Sequence, residues 1–125
     1  MDHVVHFEIH ADDPARAIAF YTALFGWTVT QMGSEAYWLV TAAGEGEPGI
    51  NGAILPRRGP RPAPDAPING MVNTAQVADV DASLRRACDL GADVALERME
   101  IPNVGAVAYV HDTEGNVLGL FQPAG

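Results

Sequence analysis

Lysine is missing from this chain: all seven basic residues are arginine. That excludes Schiff-base chemistry and every phosphate-binding loop built on a lysine. Cysteine occurs once, at Cys88, so no internal disulfide can form, and a reducing compartment, the cytoplasm, is expected. No apolar run approaches the ~18 residues that a membrane span requires. The segment from Met1 to His6 has neither the basic nor the apolar part of a signal peptide. Positive charge is scarce as well: 7 basic against 16 acidic residues leave a net charge of −9. Nucleic acid is therefore not an expected partner, because its phosphates need a basic face. Ser34 and Ser83 have no histidine or glycine elbow nearby, so no hydrolase triad is visible.

What remains is a globular composition, 48% hydrophobic over 125 residues, enough for one ordinary domain. Within it a pattern occurs twice. Glu8 to Gly26 runs as a strand end, a turn and an amphipathic helix closed by glycine, and Thr74 to Gly91 repeats that order 66 residues later. Gly49 to Leu55 lies over Gly115 to Phe121 at the same offset. Few residues are identical between the copies, so the duplication rests on pattern. Two copies of one supersecondary unit cannot each bury their apolar face alone, and pairing them encloses a cleft of the kind small molecules occupy.

The local signals give each half the order β-α-β-β-β. Val4 to His10 alternates as a strand, with Phe7 and Ile9 on one face and His6, Glu8 and His10 on the other. Asp13 suits an N-cap and Pro14 the first helical position. Ala17, Ile18, Tyr21, Leu24 and Phe25 form an apolar stripe that Gly26 ends. Strands follow at Trp27 to Met32, Ala36 to Thr41 and Ile50 to Leu55. Residues 56–70 contain five prolines and form a linker. The second half opens with Met71 to Val77, continues with a helix over about Val80 to Leu90, and closes with strands at Val94 to Arg98, Ala106 to His111 and Val117 to Gln122. The expected organisation is one domain, 1–125: module one 1–55, the linker 56–70, and module two 71–125.

His6, Glu8 and His10 are the strongest chemical candidates. Alternate strand residues stand about 6.6 Å apart, close enough for neighbours to share a proton or an ion. A glutamate beside imidazoles makes a general acid–base pair. The matching positions of the second half are Val72, Thr74 and Gln76, which can orient a ligand but are poor bases. Asn51, Tyr109 and Phe121 join them as candidate ligand contacts. Tyr37 and Trp38 are taken as core aromatics, His111 as a solvated histidine, and His3 as without function. Gly44 to Gly49 spells G-x-G-x-x-G, but two glutamates, Pro48 and a following strand exclude a nucleotide loop and leave a turn. Arg57, Arg58 and Arg61 belong to a solvated loop. Cys88 is read as a small buried hydrophobe on the second helix.

The placing of His6 before Ala11-Asp12-Asp13-Pro14 and the first helix, with Asp112-Thr113-Glu114-Gly115-Asn116 before the last strand, resembles the vicinal oxygen chelate superfamily. That group contains glyoxalase I, extradiol dioxygenases, fosfomycin-resistance enzymes and bleomycin-binding proteins. The resemblance covers nearly the whole chain, and Ile101 to Gly105 followed by a strand is particularly like its small glyoxalase-related members. It implies an α+β fold of two βαβββ modules curved into an eight-stranded, open, barrel-like cleft. It also implies a homodimer, since members generally pair four modules. Metal-using members place ligands on the first and fourth strand of each half, which correspond here to His6, about Ala53, Val72 and about Gly119. Only His6 has a lone pair to offer, whereas a catalytic ion normally takes three protein ligands. The expectation is no metal cofactor, with a divalent ion as the lesser reading. Two functions follow. One is a metal-independent, glyoxalase-like enzyme using Glu8 with His6 or His10 in lyase, isomerase or cyclase chemistry on a small organic molecule. The other is a module of the bleomycin-resistance kind that sequesters such a molecule without altering it.

Overall fold

The computed structural model describes residues 4–67 and 70–125; His3 lies outside the described residues. The chain forms two compact units, Met1–Arg61 and Pro62–Gly125, whose boundary falls inside the proline-rich segment.

The first unit contains β1 (His6–Ala11), α1 (Pro14–Phe25), β2 (Thr28–Gln31), β3 (Trp38–Thr41) and β4 (Asn51–Pro56). Its sheet has the order β1-β4-β3-β2, with β1 and β4 parallel and the other pairs antiparallel. The helix starts where its sequence says it should. Asp13 is extended and accepts from the Arg16 N–H at 3.2 Å, and Pro14 follows in the first turn. It stops at Gly26, which takes the left-handed φ of 73° and donates its N–H to Thr22. The α1 face that is buried comprises Ala17, Phe20 and Tyr21. Phe20 was not on the expected stripe, which the intermediate Ile18, Leu24 and Phe25 flank more loosely. Tyr21 stacks on Trp27 at 5.1 Å between ring centres, and Phe25 and Phe7 pack on the same indole. Gly52 lies opposite Phe7 in the parallel pair. A side-chain carbon there would meet the Phe7 carbonyl oxygen and ring, so only glycine lets the ring lie flat on β4.

The second unit contains β5 (Asn73–Gln76), α2 (Val80–Asp89), β6 (Asp93–Ile101), β7 (Gly105–His111) and β8 (Val117–Pro123), with sheet order β5-β8-β7-β6. Asp79 caps α2 as Asp13 caps α1, accepting from Ala82 N at 3.0 Å. Gln122 on β8 accepts from Val80 N at 2.9 Å, which ties the start of the helix to the last strand. The core is small and aliphatic: Val80, Ala87, Ala106, Ala108, Val110, Leu118 and Leu120. The Asp112-to-Asn116 turn is closed by Asp112, whose Oδ1 accepts from both Glu114 N and Asn116 N at 2.8 Å.

The register of the first strand on the last repeats between the units. Glu8 lies opposite Ala53 and Thr74 opposite Gly119, each pair 66 residues from its counterpart. Four expectations are corrected. Cys88 is exposed, because the last turn of α2 opens onto a groove lined by Leu84, Arg85, Asp89 and Val94. The β5 strand starts at Asn73, so Val72 precedes it rather than lying within it. Arg57 and Arg61 are not merely solvated: both hold Asp12, at 2.9 and 3.2 Å, and Arg57 also donates to the His10 carbonyl at 3.3 Å. β6 is four residues longer than the period suggested, since register shifts between Val94 and Leu96 and between Leu96 and Met99 break its alternation. Gly44 to Gly49 is the turn expected of it, closed by Glu47 N donating to Gly44 O at 3.0 Å. No helix among the described residues is long and apolar enough to cross a membrane.

Candidate functional site

The β1 strand puts Ile9 and Ala11 into the core and leaves His6, Glu8 and His10 on the opposite face. The structure brings these three together through a fourth residue, Tyr37, just before β3. The Tyr37 hydroxyl donates to Glu8 Oε2 at 2.9 Å. The His6 Nε2 lies 3.0 Å from the same hydroxyl, and since the phenol proton is directed at Glu8, the imidazole is the donor. His10 Nε2 lies 3.4 Å from Glu8 Oε1. The result is a continuous line, His6–Tyr37–Glu8–His10, along a solvent-accessible surface.

The electrostatics of the line follow from those bonds. The Tyr37 hydroxyl holds the Glu8 carboxyl below the usual glutamate range, with the His10 contact adding to it and partial burial opposing it. Tyr37 moves the other way. Burial pushes its hydroxyl up first, and donation to the Glu8 carboxylate adds to the rise. Both shifts keep the same arrangement in place: a charged carboxylate and an intact phenol.

Tyr37 is therefore not the core aromatic that its sequence context suggests. A signal for it was available in the alternation. Leu39 faces Ala53, which faces Glu8, so the residue two before Leu39 falls on the Glu8 side of the sheet. Asn51 lies opposite His6, but its side-chain oxygen is occupied in the unit's own loop, accepting from Ala42 N at 2.9 Å and Ala43 N at 3.0 Å.

The corresponding face of the second unit has a different chemistry. Thr74 and Tyr109 are both register partners of Gly119, and the ring and hydroxyl occupy the space a side chain there would need. Gln76 lies opposite Phe121 and is exposed. Val72 is half-buried ahead of the strand.

These residues do not fit the metal site of the vicinal oxygen chelate pattern. Ala53 offers a methyl, Val72 an isopropyl, and Gly119 has its side-chain space filled by Thr74 and Tyr109. Among the described residues, no three His, Cys, Asp or Glu side chains gather closely enough to hold an ion.

Comparison with known proteins places the chain. It is 34% identical over 119 residues to CFP32 of Mycobacterium bovis and of Mycobacterium tuberculosis, provisionally named a glyoxylase. The match covers 94% of this chain, which spans 42% of the length of those relatives. Among solved structures, a glyoxalase/bleomycin resistance protein/dioxygenase family enzyme from Burkholderia phytofirmans superposes with a TM-score of 0.75 at 16% identity, covering 95% of this chain and 97% of that one. TnmS3, an antibiotic binding protein from Streptomyces sp. CB03234, superposes with a TM-score of 0.69 at 25% identity, covering 99% of this chain and 98% of that one. The family model that matches residues 3–120 carries the assignment: the chain belongs to the Glyoxalase/Bleomycin resistance protein/Dioxygenase superfamily.

Proposed function

We propose that this domain binds a small organic molecule on the exposed face of β1, without a metal, and holds it by hydrogen bonds rather than transforming it. The observation that supports this is the Tyr37 hydroxyl on Glu8 at 2.9 Å. A general base works best when its pKa lies near the working pH. Here the phenol moves the carboxyl away from that point, and the carboxylate moves the phenol away in the opposite direction. Such a pair is a stable recognition element and a poor proton acceptor. TnmS3, an antibiotic binding protein similar over nearly all of both chains, is consistent with this.

A second reading is an acid–base enzyme, and one observation favours it. The line from His6 through Tyr37 and Glu8 to His10 is unbroken, so a proton could pass along it. The glyoxylase name given to CFP32 points the same way.

NMR screening of a general fragment library against the isotope-labelled chain tests the proposal. Hits should perturb His6, Glu8, Tyr37 and His10 together, and equimolar Zn²⁺ or Ni²⁺ should not bind there. Hits that map only to other residues, or an ion coordinated at these four, would overturn it. A hit consumed by the native chain but not by Glu8→Gln would establish the enzyme reading instead.

A further inference from the structure

The direction of the hydrogen bonds in this line says more about the ligand than the identity of its residues does. Resting on the reading that the β1 face binds a small molecule, we propose that it selects a molecule bearing a compact cationic group with several N–H donors, an amidinium or ammonium on an organic body.

Every donor that these bonds fix is directed inward. His6 Nε2–H points at the Tyr37 oxygen. The Tyr37 O–H points at Glu8 Oε2. His10 Nε2–H points at Glu8 Oε1. A phenol has one proton, and Tyr37 has spent it on Glu8. An imidazole that donates from Nε2 in its neutral form accepts at Nδ1, so a neutral His6 keeps an acceptor there. The Glu8 carboxylate has about four lone-pair directions, and the bonds from Tyr37 and His10 occupy two of them. A ligand arriving at this face therefore meets acceptors and a negative charge. With both imidazoles neutral, a carboxylate or phosphate would find no counter-charge among these four side chains.

Neighbouring groups sharpen the selection. Arg57, whose backbone N–H donates to the Ala11 carbonyl at this strand's end, turns its guanidinium to Asp12 and to the His10 carbonyl. In the row running from Glu8 across the sheet stand Ala53 and then Leu39, and Leu39 is 43% exposed. Ala53 is fully buried, so Leu39 alone gives the ligand's organic body an apolar surface on the row that begins at the charge, the combination that small-molecule sites use. The chain's net charge of −9 draws a cation toward it.

Three probes that share one ring but differ in charge test the proposal: benzamidinium, benzamide and benzoate, titrated into the intact chain at pH 8, where a free imidazole is neutral. Benzamidinium should bind about tenfold more tightly than benzamide, the worth of one charge-assisted hydrogen bond, and benzoate should not bind. The NMR shifts should centre on His6, Glu8 and Tyr37. Glu8→Gln should abolish the preference for benzamidinium. Tyr37→Phe, which leaves the carboxylate in place, should retain it, and the retained preference separates loss of charge from loss of structure. Benzoate or benzamide binding as well as benzamidinium would overturn the cationic class while leaving the small-molecule reading of the face intact. Binding of none of the three at millimolar concentration overturns it as well, and the fragment screen then decides whether the face binds anything.

Discussion

The two units share one strand order and differ in the chemistry of their matching faces. Glu8 opposite Ala53 in the first unit occupies the place of Thr74 opposite Gly119 in the second. Around Glu8 stand His6, Tyr37 and His10, three groups that carry or accept protons. Around Thr74 stand Val72, Gln76 and the Tyr109 ring. One further exchange separates them. Leu39 faces Ala53 where Tyr109 faces Gly119, so the second unit fills with one ring the space that the first divides between a methyl and a leucine. The cores diverge too, with Phe7, Phe20, Tyr21, Phe25 and Trp27 around α1 and mostly alanine, valine and leucine around α2. The pairing of first and last strands and the helix N-caps repeat between the units, while the side chains of each face differ.

Substitution at matched positions can break or sharpen that comparison. The largest effect belongs to Ile54 and Leu120, which are fully buried at the same repeat position. Ile54→Ala and Leu120→Ala should each cost about 2–5 kcal/mol in urea unfolding. Both tryptophans, Trp27 and Trp38, lie in the first unit, so fluorescence follows that unit while circular dichroism follows both. A cost below about 1 kcal/mol at either position would show that the two cores do not play equal parts.

Next come the glycines. Gly52→Ala should cost about 1–3 kcal/mol, because the added carbon meets the Phe7 carbonyl oxygen, a backbone atom fixed in the sheet. Gly119→Ala should cost less, since its obstacles are the side chains of Thr74 and Tyr109, which can turn. The reverse order, measured by the same urea midpoints, would show that Phe7 yields more readily than Tyr109.

A smaller effect separates Asp12 from its counterpart Ala78. Asp12→Ala removes the anchor of Arg57 and Arg61. Partly exposed ion pairs are worth about 1 kcal/mol or less, so the loss should be of that size and should shrink in high salt. An effect insensitive to salt would mean that the anchoring is not ionic.

The smallest effect in stability is the most informative for the site. Tyr37→Phe should let the Glu8 carboxyl titrate closer to the ordinary glutamate value, as followed by ¹³C NMR. The sign follows from linkage. A carboxyl whose folded pKa is lowered contributes stability above its unfolded value, and that contribution is lost as pH falls through the folded one. Native and Tyr37→Phe chains should therefore differ at neutral pH and converge in acid. Thr74 offers no such titration, so Thr74→Ala should leave the pH dependence unchanged.

Much of this architecture was legible in the chain because local rules repeat. Asp13 with Pro14 and Gly26 announced the first helix, and the offset of 66 relates the pairing of first and last strands in the two units, as Glu8–Ala53 and Thr74–Gly119 show. What was not legible depended on non-local geometry. Tyr37 looks like any strand aromatic until β3 is placed across β4 from β1. Arg57 and Arg61 look like solvated arginines until the chain doubles back to Asp12. Cys88 has the spacing of a core residue, but α2 ends beside an open groove. The length of β6 was hidden by its register shifts, which scramble the period-two signal.

The flat seating of Phe7 on Gly52 has a consequence for recognition. The reverse side of β1 rests on a slab of interlocked rings, so the strand has little freedom to bend, and its outward row of polar groups is set before any guest arrives. Association then spends little of its energy on ordering the host. Affinity at this face should depend chiefly on how well the guest matches a template already in place.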